Sequence, residues 1–185
     1  VKSPDPTSTA EKKYGSAAIA YGASSSYLYT PDFSGFDMGS GDFTMEAWVY
    51  LNASGVSPLF SQRTASNNQW YLYISVDTIS SYAVASGVAF HNVSVAPTLA
   101  ATAWHHIAMC RDGGTMRFYL DGVQCATAAV SGNWPRIAVD LRIGNDYASN
   151  YASSDYHDDI RITKGVCRYP SGTTFTPPTT EAGDS

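Results

Sequence analysis

Two short turns rich in aspartate and glycine divide residues 104–128 into three segments in which apolar and polar side chains alternate. Turns of this kind, at residues 112–115 and 120–123, are strong signals for β-hairpins. Pairing across both turns places Phe118 opposite Cys125 and assigns one face of the sheet to Ile107, Met109, Met116, Phe118, Leu120, Val123 and Cys125. The other face receives His106, Ala108, Cys110, Arg117, Tyr119 and Gln124. The pattern predicts an antiparallel meander with one face on a core.

The same register bears on the three cysteines of the chain. The side chains of Cys110 and Cys125 lie on opposite faces, so no disulfide is expected between them. Cys167 is distant in sequence, and we expect all three cysteines to be reduced and partly buried. Metal sites built from cysteine and histidine need closely spaced ligand pairs, and neither C-x₂-C nor H-x₃-H occurs in the sequence.

The rest of the chain repeats this rhythm of short strand-like segments separated by Ser, Gly and Asn. The candidate strands are residues 17–21, 27–30, 43–51, 59–62, 70–76, 82–85, 88–91, 104–111, 115–120, 123–128, 140–143 and 158–163. With no amphipathic helix beyond a short helical turn at 132–135, this spacing predicts an all-β fold of two antiparallel sheets. One domain is expected over residues 14–175, between linker-like ends at 1–13 and 176–185.

Charge and hydropathy argue against two classes of partner. The formal net charge of −5 argues against nucleic acid, because phosphate binding needs a basic patch. No apolar run approaches the roughly 18 residues that a membrane-spanning helix requires, so we expect no membrane insertion.

Four segments carry a resemblance to a known family: GDFTMEAWVYL (41–51), WHHIAMCRDGGTMRFYLDG (104–122), LRIGND (141–146) and HDDIRITKGVCRYPSGTTFTPP (157–178). In this order they resemble the laminin-G-like, concanavalin A-like jelly-roll domains over about residues 14–178. The closing segment is similar to the version found in bacteriophage tail and tail-fibre proteins. The resemblance implies a jelly-roll sandwich that serves as a lectin-like recognition unit, on the virion surface of a phage tail or in another extracellular assembly.

Some members of this family hold calcium beside an Asp-Asp pair in the last strand, which implies Asp158 and Asp159 as metal ligands here. In such relatives an Asp-Gly pair near the end of the first strand often lies close by, but the matching positions here are Gly22 and Ala23. Other oxygens could still complete the six or more ligands that calcium needs. In the structural alternative, one aspartate accepts hydrogen bonds from loop amides and the other contacts Arg161 or solvent.

The jelly-roll sandwich also occurs in glycoside hydrolases, which need two carboxyl groups at a defined separation. Glu46 is the only glutamate within a candidate strand, and the E-x-D-x-x-E pattern of the sandwich glucanases is absent. We therefore expect no catalytic activity. The expected role of Glu46 is structural, bonded to a histidine or arginine of a neighbouring strand.

Two segments combine aromatic side chains with amides and carboxylates, the composition that sugar sites favour: SNNQWYLYIS (66–75) and GNDYASNYASSDYHDD (144–159). The second is long for a loop of a compact sandwich. The candidate ligand-binding residues are Trp70, Tyr71, Asn145, Asp146, Tyr147, Asn150, Tyr151 and Tyr156. Trp70 fits a core position equally well, and the loop tyrosines fit a self-packed flap.

The sequence thus predicts a non-catalytic module that binds a cell-surface glycan and serves host recognition on a phage tail or other extracellular assembly. The main alternative is a structural virion domain that packs against partner chains in an oligomer and binds no sugar. A glycoside hydrolase of the same fold is the third hypothesis.

Overall fold

A computed structural model describes residues 7–21, 26–52, 56–75, 77–147, 155–170 and 174–182. These residues form thirteen β-strands and one short 3₁₀ helix, Ser34–Phe36. The strands are β1 Thr7–Ser8, β2 Ala18–Ala20, β3 Leu28–Thr30, β4 Phe43–Tyr50, β5 Ser57–Ala65, β6 Asn68–Ser75, β7 Thr78–Ala85, β8 Val88–Val95, β9 Trp104–Asp112, β10 Thr115–Leu120, β11 Val123–Ala129, β12 Leu141–Ile143 and β13 Tyr156–Lys164.

The strands form two antiparallel sheets that pack against each other. One sheet has seven strands in the order β1-β2-β13-β4-β9-β10-β11, and the other has six in the order β3-β12-β5-β6-β7-β8. Neighbours distant in sequence, such as β13 beside β4, require the crossovers of a jelly roll. The predicted all-β, two-sheet jelly-roll sandwich is confirmed. Within the described ranges, no helix has the length and apolar character needed to cross a membrane.

The meander predicted at residues 104–128 is formed by β9, β10 and β11. Phe118 pairs with Met109 across the first turn, as the alternation predicts. A β-bulge after Phe118 shifts the second hairpin by one residue, so that Phe118 faces Ala126 rather than Cys125. Val123 was predicted to face the core but is 54% exposed, because it begins an edge strand directly after the turn.

The core lies between the sheets and consists of the inward-facing alternate residues of both. Trp134 joins it from a stretch without regular structure, so the helical turn predicted at residues 132–135 is wrong. The Trp134 ring lies 5.0 Å from that of Phe43 and 5.4 Å from that of Trp70, measured between centroids. Burial of this large ring, rather than a local helical hydrogen bond, therefore determines the path of the segment.

A C-terminal stretch crosses the outer face of the seven-stranded sheet. We call residues 165–170 and 174–182 the covering segment. Its side chains Cys167, Tyr169 and Phe175 pack on a small apolar cluster formed by Ala108, Cys110 and Tyr119. The Tyr169 and Phe175 rings stack with their centroids 3.6 Å apart. Both faces of β9 are consequently buried, whereas the sequence predicted one buried face for the meander.

The described parts of the two predicted linkers belong to the folded unit. Thr7–Ser8 forms β1 and pairs with β2. At the other end, the amide of Ala182 donates a hydrogen bond to Asp159 Oδ1 at 3.0 Å. These backbone groups at both ends of the described chain find partners on the sheet.

Gly122 is required where the covering segment passes the turn between β10 and β11. Its φ is +80°, and a Cβ there would lie 2.0 Å from the carbonyl oxygen of Phe175. We expect Gly122→Ala to lower the free energy of unfolding by about 2 kcal/mol, from the left-handed backbone and the collision together. Gly87 has a φ of +79° and nothing within 4 Å of such a Cβ, so Gly87→Ala isolates the backbone contribution in urea unfolding. Equal losses of unfolding free energy in the two variants would show that the contact with the Phe175 carbonyl oxygen has no effect.

Candidate functional site

One row of side chains crosses the outer face of the six-stranded sheet from edge to edge. The strand registers align one residue from each strand in it: Tyr29, Arg142, Ser61, Tyr71, Tyr82 and Asn92. We call these six residues the tyrosine row. Because successive side chains of a strand point to opposite faces, the neighbours Trp70 and Leu72 point into the core instead.

Aromatic rings form the middle of the tyrosine row. The Tyr71 ring stacks on that of Tyr73, with centroids 4.0 Å apart and an interplanar angle of 18°. The Tyr82 ring lies 5.9 Å from that of Tyr71. A cavity of about 200 Å³ opens beside them, lined by Val56, Tyr71, Tyr73, Ile74, Ser75, Thr78 and Ser80. This face therefore places aromatic rings next to hydroxyl groups.

Arg142 is held rigidly within the tyrosine row. Its guanidinium carbon lies 3.7 Å from the ring centroid of Tyr147 and 4.4 Å from that of Tyr27. Arg142 Nε donates a hydrogen bond to Asp140 Oδ2 at 3.2 Å, and the hydroxyl of Tyr147 donates one to the carbonyl oxygen of Asp140. Burial, followed by the Asp140 carboxylate, raises the pKa of Tyr147. The arrangement holds a planar cation against two aromatic rings.

A buried carboxylate supports the rings from below. Asp146 is 1% exposed, and its Oδ2 accepts a hydrogen bond from the Tyr73 hydroxyl at 3.1 Å. The same oxygen lies 3.5 Å from Arg63 Nη1. Burial is the largest cause that raises the pKa of Tyr73, and the Asp146 charge adds to it, so Tyr73 stays a neutral donor. The carbonyl oxygen of Asn145 accepts a hydrogen bond from Ser61 Oγ at 2.9 Å, which holds the loop against β5.

The structure brings together part of the sequence-predicted binding set. Tyr71 lies in the tyrosine row, and Tyr147 lies against Arg142 beside it. Asn145 and Asp146 are close by, but both are buried and act as supports for the row.

Other members of the predicted set lie elsewhere. Trp70 is 2% exposed and its Nε1 donates a hydrogen bond to Gln62 Oε1 at 2.8 Å, so it occupies the core position that was its alternative. Tyr156 belongs to the seven-stranded sheet, where its ring lies 5.9 Å from that of Tyr50. Asn150 and Tyr151 lie outside the described residues.

Sequence reasoning missed Tyr73, Tyr82 and Arg142. The signal for Tyr73 was present, because Tyr71 and Tyr73 occupy alternate positions of YLYIS and therefore share a face. Trp70 and Tyr71 are adjacent, so the same rule separates them. No signal in the sequence aligned Arg142 with these tyrosines, because that contact depends on the order of strands in the sheet.

Asp158 and Asp159 lie on the other sheet, at an irregularity in β13. Asp158 Oδ2 accepts hydrogen bonds from the amides of Lys13 at 2.9 Å and Tyr14 at 3.0 Å, and its Oδ1 accepts one from the amide of Asp159 at 2.8 Å. These hydrogen bonds are those that the structural alternative gives to one of the two aspartates. Among the described side chains, no group of three or more His, Cys, Asp or Glu could hold a metal ion. Calcium binding at Asp158 and Asp159 stays a prediction, and the partner positions Gly22 and Ala23 lie outside the described residues.

Glu46 lies in β4 beneath the covering segment and is 2% exposed. Its Oε2 lies 2.5 Å from the Tyr169 hydroxyl and 3.3 Å from His106 Nε2, and its Oε1 lies 3.0 Å from Arg168 Nε and 3.8 Å from Arg161 Nη1. Burial alone would raise the pKa of Glu46. The hydrogen bonds from His106 and Tyr169 and the charge of Arg168 outweigh that effect and hold the pKa below its ordinary value. The sequence predicted a structural role for Glu46, bonded to a histidine or arginine of a neighbouring strand. Such contacts are present, to His106 and to two arginines.

Comparison with known proteins gives one family match and several similar folds. A laminin G family model described as "Concanavalin A-like lectin/glucanases superfamily" matches residues 22–167. No curated protein matches the sequence.

Three solved structures illustrate the similarity of fold. Domain 4 of an extracellular arabinanase from Geobacillus stearothermophilus, in complex with arabinotriose, is 17% identical with a TM-score of 0.65, covering 86% of this chain and 75% of that one. A sialidase module of Ruminococcus gnavus bound to α2,3-sialyllactose is 12% identical with a TM-score of 0.55, covering 80% and 88%. A candidate carbohydrate-binding protein from Bacteroides ovatus is 16% identical with a TM-score of 0.58, covering 75% of this chain. The chain spans only 41% of the length of the Bacteroides ovatus protein.

Proposed function

Because the chain belongs to the concanavalin A-like lectin/glucanases superfamily, we propose that it is a non-catalytic carbohydrate-binding module. The observation that carries the proposal is the tyrosine row, in which the Tyr71 ring stacks on that of the adjacent Tyr73. The similar arabinanase domain and sialidase module, whose structures contain arabinotriose and α2,3-sialyllactose, support it.

The proposed binding mode follows from the chemistry of this face. The apolar face of a sugar ring stacks on Tyr71, where little side-chain entropy is lost because the ring is already packed against Tyr73. Hydroxyl groups of the sugar exchange hydrogen bonds with Ser80 and with Asn92, while Arg142 supplies a charged donor at the other side of the row. The adjoining cavity of about 200 Å³ is smaller than a cleft for a drug-sized ligand, so we expect a single ring to enter it.

The surroundings of Glu46 support the absence of hydrolysis. This carboxylate lies on the other sheet, beneath the covering segment, and its contacts are with cations and donors. A retaining or inverting mechanism needs a second carboxyl group at a defined distance from the first.

The proposed setting is an extracellular assembly, as in the similar extracellular arabinanase. Placement on the tail or fibre of a phage, with host recognition as its purpose, rests on the resemblance of residues 157–178 to phage tail proteins.

We expect Tyr71→Ala to weaken glycan binding about tenfold or more, because it removes the central ring on which the sugar stacks. The measurement is a glycan array of bacterial and host oligosaccharides that includes arabinotriose and α2,3-sialyllactose, followed by calorimetry on the best ligand.

Tyr156→Ala is the matched control, since it removes a half-buried tyrosine from the other sheet. Its affinity should stay within twofold of the parent protein. The proposal fails if no glycan on the array is bound. If the protein also forms a defined oligomer in solution, that result favours the structural virion domain. The proposal also fails if Tyr156→Ala weakens binding as much as Tyr71→Ala does.

A further inference from the structure

Two cysteine sulfurs meet beneath the covering segment although they lie 57 positions apart in the sequence. Cys110 is fully buried in β9, and Cys167 lies in the covering segment, just after the turn that follows β13. Their Sγ atoms are 3.0 Å apart, while all three cysteines of the chain are free thiols in the structure. A disulfide has a sulfur–sulfur distance of about 2 Å, so a shift of about 1 Å brings these atoms to bonding distance.

We propose that Cys110 and Cys167 are a disulfide-forming pair whose oxidation fastens the covering segment to β9. The sequence could not reveal this pair, because the contact depends on the return of the chain across the sheet after β13. Cys125 takes no part, since it packs against the core on the opposite side of the sheet. The inference does not depend on sugar binding and concerns the other sheet.

The proposed step is thiol–disulfide exchange with a small disulfide oxidant such as oxidised glutathione. The half-buried Cys167, as thiolate, attacks the oxidant, forms a mixed disulfide and releases one glutathione thiolate. Cys110 then attacks Cys167 Sγ, the Cys110–Cys167 bond forms, and the second glutathione leaves. Two electrons pass from the two protein sulfurs to the oxidant, and the two thiol protons end on the two glutathione products.

The surroundings of the pair determine when the bond forms. Burial raises the pKa of both Cys110 and Cys167, so few thiolates exist in the folded protein and exchange there is slow. We therefore expect efficient oxidation while the chain folds, before the covering segment has buried Cys110.

The disulfide would hold two partners of a buried carboxylate in place. Arg168 and Tyr169 follow Cys167 directly, and both contact the buried Glu46. Tyr169 also accepts a hydrogen bond at its carbonyl oxygen from the Tyr119 hydroxyl, at 2.7 Å. Fixing Cys167 to β9 therefore also fixes the partners of Glu46.

The test is refolding from urea in a buffer of reduced and oxidised glutathione, followed by alkylation and peptide mass spectrometry. We expect a mass loss of about two hydrogens before alkylation, a single alkylated cysteine, Cys125, and one cross-linked peptide pair that joins Cys110 to Cys167. The oxidised protein should melt roughly 5–15 °C above the same protein after reduction. Three alkylated cysteines, or a cross-link that includes Cys125, would overturn the proposal.

Single variants provide the controls. Cys125→Ala should keep both the cross-link and the difference in Tm between oxidised and reduced protein. Cys167→Ala should lose both, and because Cys167 is only half-buried we expect this variant to fold. A difference in Tm that persists in Cys167→Ala would likewise contradict the pairing.

Discussion

Glu46→Ala is expected to lower the free energy of unfolding by about 3 kcal/mol, measured by urea denaturation at pH 7. Removing one partner of a buried charge cluster costs roughly 3–5 kcal/mol, because the groups left behind lose their compensation. The lower end applies here, since Arg161 and Arg168 are partly exposed and can return to water. His106 and Tyr169 cannot do so without opening the covering segment.

Two further variants separate the loss of this buried charge cluster from the loss of any carboxylate. Glu181→Ala removes an exposed carboxylate and should change the free energy of unfolding by less than about 0.5 kcal/mol. Glu46→Gln keeps a hydrogen-bonding side chain of the same shape, so its loss should be intermediate, and it should leave glycan binding unchanged. A loss for Glu46→Ala no larger than that for Glu181→Ala would show that the cluster does not stabilise the fold.

The free energy of unfolding is expected to fall steeply between about pH 6.5 and pH 4, by roughly 6 kcal/mol in all. Burial lowers the pKa of His91 to about 4 and that of His157 to about 3. His91 Nε2 lies 2.8 Å from Ser81 Oγ, and His157 lies between the Tyr21 hydroxyl and Ser57 Oγ. In the unfolded chain each imidazole binds a proton below about pH 6.5, whereas the folded protein excludes it.

The direction of this pH dependence follows from the number of protons that the folded and unfolded states bind. The unfolded state binds more protons throughout this window, so acid favours unfolding, by about 1.4 kcal/mol per pH unit for each histidine. His105 acts in the opposite direction, because its hydrogen bond to Asp121 raises its pKa, but its contribution changes mainly above about pH 6, where the unfolded imidazole has lost its proton. The stabilising effect of the lowered Glu46 pKa is lost as the pH falls from the ordinary pKa of glutamate to the lowered one.

The measurement is the free energy of unfolding from urea titrations at several pH values between 5 and 6.5. His157→Gln and His91→Gln should each remove about half of the pH slope, whatever they do to stability at neutral pH. The slope is thus informative even where a variant is destabilised. A free energy that stays constant across this interval in the parent protein would refute the assignment of neutral, buried imidazoles.

Local patterns sufficed for the first hairpin of the meander, whose strands are neighbours in sequence. The two Asp/Gly turns and the alternation around Phe118 predict the pairing of β9 with β10 correctly. The bulge after Phe118 was not predictable from alternation, because a bulge inserts one residue without changing the composition of the strand. The covering segment escaped prediction for a different reason: it packs on strands far away in sequence, and local alternation carries no information about such contacts.

Only part of the candidate site was predicted, because it too combines residues that are distant in sequence. The sequence pointed to Tyr71 and to the loop containing Asp146 and Tyr147, which do meet beside the tyrosine row. It paired Tyr71 with Trp70, although adjacent strand residues face opposite ways. The line from Tyr29 to Asn92 uses one residue from each of six strands, and only the strand order of the folded sheet creates it.

The contact between the first and last described segments of the fold determines how such a domain can be inserted into a larger protein. The Tyr14 hydroxyl donates a hydrogen bond to the carbonyl oxygen of Pro178, and the adjacent Asp158 and Asp159 hold amides from both ends. Entry and exit of the chain therefore lie side by side, far from the row of rings on the other sheet. A larger polypeptide could accommodate the unit within one surface loop, with the tyrosine row still turned outward.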